Sequence, residues 1–119
     1  MGAPLSMPRR LLDIAEYYRL GQAGVVHEDD RVELIEGEMI EMAPIGAPHV
    51  YAVNKLTQIL SQQLGANAIL SIQNPLLLPP RNAPQPDVVV LNAQSLDNKT
   101  LPGPKDALLI IEVAHLSLE

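Results

Sequence analysis

Gln85-Pro86-Asp87-Val88-Val89-Val90-Leu91 and Leu108-Leu109-Ile110-Ile111-Glu112-Val113 decide the fold of this chain. Each is a short aliphatic run carrying one acid. Rich in Val, Ile and Leu and too short for most helices, both have the pattern of a buried strand. Pro86 suits the start of its strand, because proline has no N–H to give to a central ladder. A carboxylate beside a water-excluded sheet costs free energy unless something satisfies it. Two neighbouring strands would bring Asp87 and Glu112 together at one end of the sheet, where their hard oxygens suit a divalent cation. The alternative is that Asp87 caps a turn after Pro86 and Glu112 faces solvent from an edge strand.

Outward from this pair, the turn-rich stretch Asn92 to Pro104 connects the two runs. On the amino side, Ala68 to Ile72 reads as a further strand that Pro75 to Leu78 continues or restarts, and Arg81 to Pro84 as a loop. A helix from about Pro48 to Leu64 precedes them, with Val50, Val53, Leu56, Leu60 and Leu64 spaced at three or four residues. Pro48 suits its first turn, and His49 stands at its entrance, on or beside the inward face. Histidines in such places serve packing as well as chemistry.

Arg31 to Met42 reads as a hairpin turning at Glu36-Gly37, where glycine supplies the positive φ of a tight turn. Its four glutamates suit a solvated face, any one of them being a candidate for a site. Before it, Glu28-Asp29-Asp30 is an acidic loop. A first helix is expected over Arg9 to Leu20, with Ser6 as its cap and Pro8 in its first turn, stopped by Gly21 and Gly24. Met1 to Met7 is a lead-in.

The 119 residues suit one domain with an aliphatic core, since there is no Phe or Trp and only 3 Tyr. Without cysteine there is no disulfide, thiolate metal site or thiol nucleophile, which suits a reducing cytoplasm. Lys and Arg number 8 against 14 Asp and Glu, a net charge of -6. This balance opposes strong autonomous binding to a duplex, whose phosphates call for a basic face, and leaves room only for a local basic groove. No run approaches the roughly 20 apolar residues of a membrane span, and the amino terminus has no apolar signal core. Met1 to Ser6 matches the myristoylation pattern, and Asn98-Lys99-Thr100 a glycosylation sequon that reads as a loop. There is no internal repeat, phosphate loop, zinc-ligand spacing or glycine-flanked serine nucleophile. The histidines His27, His49 and His115 never fall at i, i+4.

The order Glu33-Leu34-Ile35-Glu36-Gly37-Glu38, Pro48-His49, Pro86-Asp87-Val88-Val89-Val90 and Ile111-Glu112-Val113 resembles the Uma-type family of restriction-endonuclease-like proteins. The resemblance runs from about Tyr17 to the last residue. It implies the α/β fold of PD-(D/E)-x-K nucleases, a mixed sheet flanked by helices, over a single domain of residues 1–119. It implies a metal-dependent DNA endonuclease, with Asp87 and Glu112 as ligands of Mg2+ or Mn2+. Glu38 and His49 would complete or orient the site, and DNA would be the partner.

The sequence departs from the family pattern in two places. Position 114, two after the glutamate, is Ala114 where such nucleases carry lysine, and the family's displaced lysine would lie on a helix beyond Glu119. His115 and Leu116 also stand where the family has an acid and a hydroxyl. A lysine near the attacked phosphate performs an electrostatic task that carboxylates cannot. A truncated nuclease without its last helix and strand is therefore expected, the alternative being a catalytically inactive nuclease-like binding or regulatory module. An unrelated small acidic fold is a third reading. An aliphatic last strand uncovered on one face should make the chain a homo-oligomer.

Overall fold

Val88 to Leu91 is the most deeply buried run of the chain, each of the four residues at most 5% exposed. In the computed structural model, which describes residues 8–27, 29–97 and 99–114, this run is the middle strand of a three-stranded sheet. The elements in chain order are α1 (Ile14–Gln22), β1 (Val32–Ile35), β2 (Glu38–Glu41), α2 (Ala47–Leu64), β3 (Ala68–Ile72), β4 (Val88–Asn92) and β5 (Ala107–Ile111). Short turns of 3-10 helix follow α2, follow β4 and precede β5.

The class is α/β, with a restriction-endonuclease-like arrangement of helices and strands. The described strands fall into two sheets, β1-β2 and β3-β4-β5, and every pairing in them is antiparallel. Among the described residues, no α-helix lies between β3 and β4 or between β4 and β5, only the short 3-10 turns. Parallel neighbours need a crossover of a dozen or more residues, usually helical, so these strands double back instead. β4 takes both central ladders, which is why it is apolar on both faces. β5 is the outer strand of its sheet among the described residues, and Leu108, Leu109 and Ile110 on it are 64, 51 and 47% exposed.

α1 starts five residues later than the sequence suggests. Its cap is Asp13, which accepts the Glu16 N–H at 2.8 Å while the Glu16 side chain accepts the Asp13 N–H at 3.0 Å. This reciprocal capping box satisfies two orphan donors at once. Pro8 to Leu12 are not helical, and the Leu12 N–H goes instead to the Gly37 carbonyl at 2.9 Å. Ser6, expected as the cap, lies outside the described residues, as do the myristoylation pattern, Asn98 and His115. At the other end α1 includes Gly21, and Gly24 at φ 83 follows its close.

The hairpin turns at Glu36 (φ 50) and Gly37 (φ 83), the two positive values of a type I′ turn. Asn82 Oδ1 and the Arg81 carbonyl accept the N–H groups of these two residues, both at 2.8 Å. On its other edge β1 meets Ala83, whose N–H donates to the Leu34 carbonyl at 2.8 Å. Leu34 is fully buried between Tyr17 and Ala83, with Leu12, Ile14, Tyr18, Val32 and Leu77 around them. Pro75 to Leu78, expected to extend or restart β3, is not a strand. Leu78 makes one isolated bridge to Asn82 as the chain turns back through Pro79-Pro80. α2 lies against β3 and turns Val53 inward, while Leu56, Leu60 and Leu64 are half-buried and Val50 is exposed.

Candidate functional site

Val88 stands opposite Ile111 in the β4-β5 ladder, so the next residues outward, Asp87 and Glu112, come level at one end of the sheet. Their side chains and backbones are cross-tied. Glu112 Oε1 accepts the Asp87 N–H at 2.8 Å, and Asp87 Oδ2 accepts the Val113 N–H at 2.8 Å. Carboxylates thus replace the carbonyls that a continued ladder would supply. Charge-assisted hydrogen bonds of this kind are roughly twice as strong as neutral ones. The acids converge as the first expectation has it; of the alternative, Glu112 is exposed just past the outer strand, but Asp87 accepts a cross-strand amide rather than capping a turn after Pro86.

His49 reaches Asp87 from α2. It is the third residue of the helix, and its Nε2 lies 2.8 Å from Asp87 Oδ1. Gln73, just past β3 at φ 55, aims its amide at the same oxygen at 3.5 Å. Its backbone N–H reaches the Pro86 and Asp87 carbonyls at 3.0 and 3.2 Å, so it is tied to the segment it serves. Burial alone would raise the Asp87 pKa. The Val113 N–H, the hydrogen bond and charge of His49 and the Gln73 amide outweigh it and hold the carboxyl below its usual 3.8.

A cavity of about 510 Å³ opens in front of Asp87 and His49. Its far wall comes from the open end of the hairpin, with Arg31, Glu33 and Glu41, and from Met42 to Gly46 leading into α2. Glu33 is anchored there by accepting the Gln85 N–H at 2.9 Å. Glu112 is not on the cavity wall.

Glu38, expected to complete the site, is not brought to it. It sits beside the turn, opposite Ile35, and its carboxylate meets the Arg9 guanidinium at 2.5 Å. Glu33 lies on the same face of the hairpin but farther from the turn, displaced by two residues or roughly 7 Å of strand. The open end of the hairpin leads into Pro48-His49, and that connectivity is the sequence signal that favours Glu33 over Glu38. Gln73 carries no comparable signal, since nothing local ties the end of β3 to Asp87.

Among the described residues, no three His, Asp or Glu side chains are grouped to hold a metal ion. Asp87 and Glu112 nevertheless suit one in kind. Magnesium takes one or two protein carboxylates and keeps several waters, and Glu112 Oε2 accepts no hydrogen bond among the described residues. Neither Lys99 nor Lys105 reaches the cavity wall.

An α/β frame with an aspartate entering its central strand and a glutamate leaving the neighbouring one is the arrangement that the sequence motifs imply for a nuclease-like protein. The Uma2 family model, described as "Putative restriction endonuclease", matches residues 14–119. The chain belongs to this family. Comparisons with curated proteins and with solved structures each gave no match. No helix among the described residues is long and apolar enough to cross a membrane.

Proposed function

We propose that this chain is the core of a metal-dependent DNA endonuclease, in which Asp87 and Glu112 hold a Mg2+ or Mn2+ ion at the mouth of the cavity. One observation carries the reading: the two acids stand level on adjacent strand ends, with His49 2.8 Å from Asp87. Such an ion, when bound, lowers the pKa of a coordinated water and offsets charge building on the phosphate. The protein's own part is to keep Asp87 ionised and aimed. His49 and the Val113 N–H each hold one of its oxygens, which fixes the carboxylate plane, and Gln73 supports the same edge. Glu33 lines the same cavity as Asp87 and His49. A cytoplasmic location for this activity is part of the proposal. The same reading includes self-association through the exposed apolar strand β5.

Calorimetric titration of Mn2+ into the chain and into Asp87→Asn tests the proposal. Saturable binding to the wild type, lost in the variant, is expected, followed by Mn2+-dependent nicking of a plasmid. Absence of binding in both overturns it. A second reading, an inactive nuclease-like binding module, is favoured by Ala114 and by the way both carboxylates already satisfy backbone amides. Metal binding without cleavage, in a preparation that binds DNA, selects that reading.

A further inference from the structure

We propose that Arg31 grips a backbone phosphate of the DNA strand lying in the cavity; the inference rests on the nuclease reading above. The wall of this cavity is acidic, with Glu33, Glu41 and Asp87 on it. A phosphodiester entering beside three carboxylates meets repulsion unless a cation faces it. Arg31 is the one Lys or Arg on the wall. Among the described residues its guanidinium forms no ion pair and no hydrogen bond, whereas Arg9 and Arg10 are engaged by Glu38 and Glu16.

Its base is nonetheless fixed. The Arg31 carbonyl accepts the Met42 N–H at 2.7 Å, which closes the open end of the hairpin one residue before β1. A planar five-donor fork on an anchored backbone, with an exposed side chain and no competing partner, suits bidentate phosphate recognition. Arg31 comes to the cavity wall from the hairpin, and His49 and Asp87 come to it from α2 and the start of β4. A strand held by Arg31 would lie in the cavity that Asp87 also lines.

The test measures fluorescence anisotropy of a short labelled duplex in Ca2+ over a series of salt concentrations, for the wild type, R31Q and R31K. Circular dichroism and Mn2+ calorimetry on each protein accompany it. R31Q is expected to bind DNA several-fold more weakly and to lower the slope of log K against log salt by about 0.9, the loss of one phosphate contact. R31K should restore that slope, and Mn2+ affinity should be the same in all three. R31Q binding with wild-type affinity and slope overturns the inference and leaves the nuclease reading standing. A wild type that binds Mn2+ but no DNA, or neither, overturns it too, and only the loss of Mn2+ binding also removes the metal site.

Discussion

Asp87→Ala removes the acceptor of two short hydrogen bonds at once, those from the Val113 N–H and from His49, both at 2.8 Å, and of the longer one from Gln73 at 3.5 Å. The Asp87 side chain is only 14% exposed, so water repairs little of the loss. Net contributions of hydrogen bonds to charged groups run to about 1.5–3 kcal/mol each, and their partners here lose them together, so a total of about 3 kcal/mol is expected. Asp87→Asn keeps an acceptor for Val113 and a donor toward the ring, and should cost about 1 kcal/mol, the charge-assisted part. Urea unfolding at pH 7 measures both.

The pH dependence gives an independent check. Asp87 has a lower pKa folded than unfolded, so the unfolded chain binds more protons through this group. Its contribution is full above the unfolded value near 3.8 and is lost as pH falls through the lower folded value. The stability gap between wild type and Asp87→Asn should therefore stay constant down to about pH 4.5 and narrow below pH 3.8. Asp87→Ala unfolding within 0.5 kcal/mol of the wild type at pH 7, or a gap that widens on acidification, refutes the reasoning.

Three further outcomes follow from the fold. Gly37→Ala places a Cβ 2.7 Å from Leu11 Cβ at φ 83 and should cost about 2–3 kcal/mol, read as a lowered urea midpoint; an unchanged midpoint contradicts the type I′ turn. Asp13→Ala breaks the capping box of α1 and should cost about 1 kcal/mol, with Asp13→Asn largely neutral in the same assay. Light scattering at high micromolar concentration should give a mass above the monomer, and Leu109→Lys on β5 should return it to the monomer; a monomeric wild type refutes self-association through this strand.

Reading the sequence succeeds here wherever one segment carries its own signal. The aliphatic runs mark β4 and β5 as strands, although only β4 is buried as both were expected to be; the three-and-four spacing from Val50 to Leu64 marks α2, with Val50 itself exposed, and Glu36-Gly37 marks the hairpin turn. The Asp13-x-x-Glu16 box was equally present in the sequence, but Ser6 with Pro8 offers a competing start. Only long-range pairing excludes it, because Leu12 is committed to Gly37. Pro75 to Leu78 has strand-like residues and no strand, since its N–H groups are spent on Pro84, Pro102 and Asn82 rather than on a ladder.

For the site, the sequence by itself determined the identities: an acid entering β4, an acid leaving β5, a histidine opening α2 and family membership over residues 14–119. Tertiary structure decided how they meet. The β4-β5 register sets Asp87 level with Glu112, and a one-residue slip would send the two acids to opposite faces. The end of the hairpin that faces α2 brings Glu33 and Arg31 to the cavity and leaves Glu38 with Arg9. Gln73 reaches Asp87 only because β3 lies beside β4. Periodicity and turn chemistry act over a few residues, so they specify elements. Register and the meeting of distant side chains depend on pairings across tens of residues, which are settled when the whole chain packs.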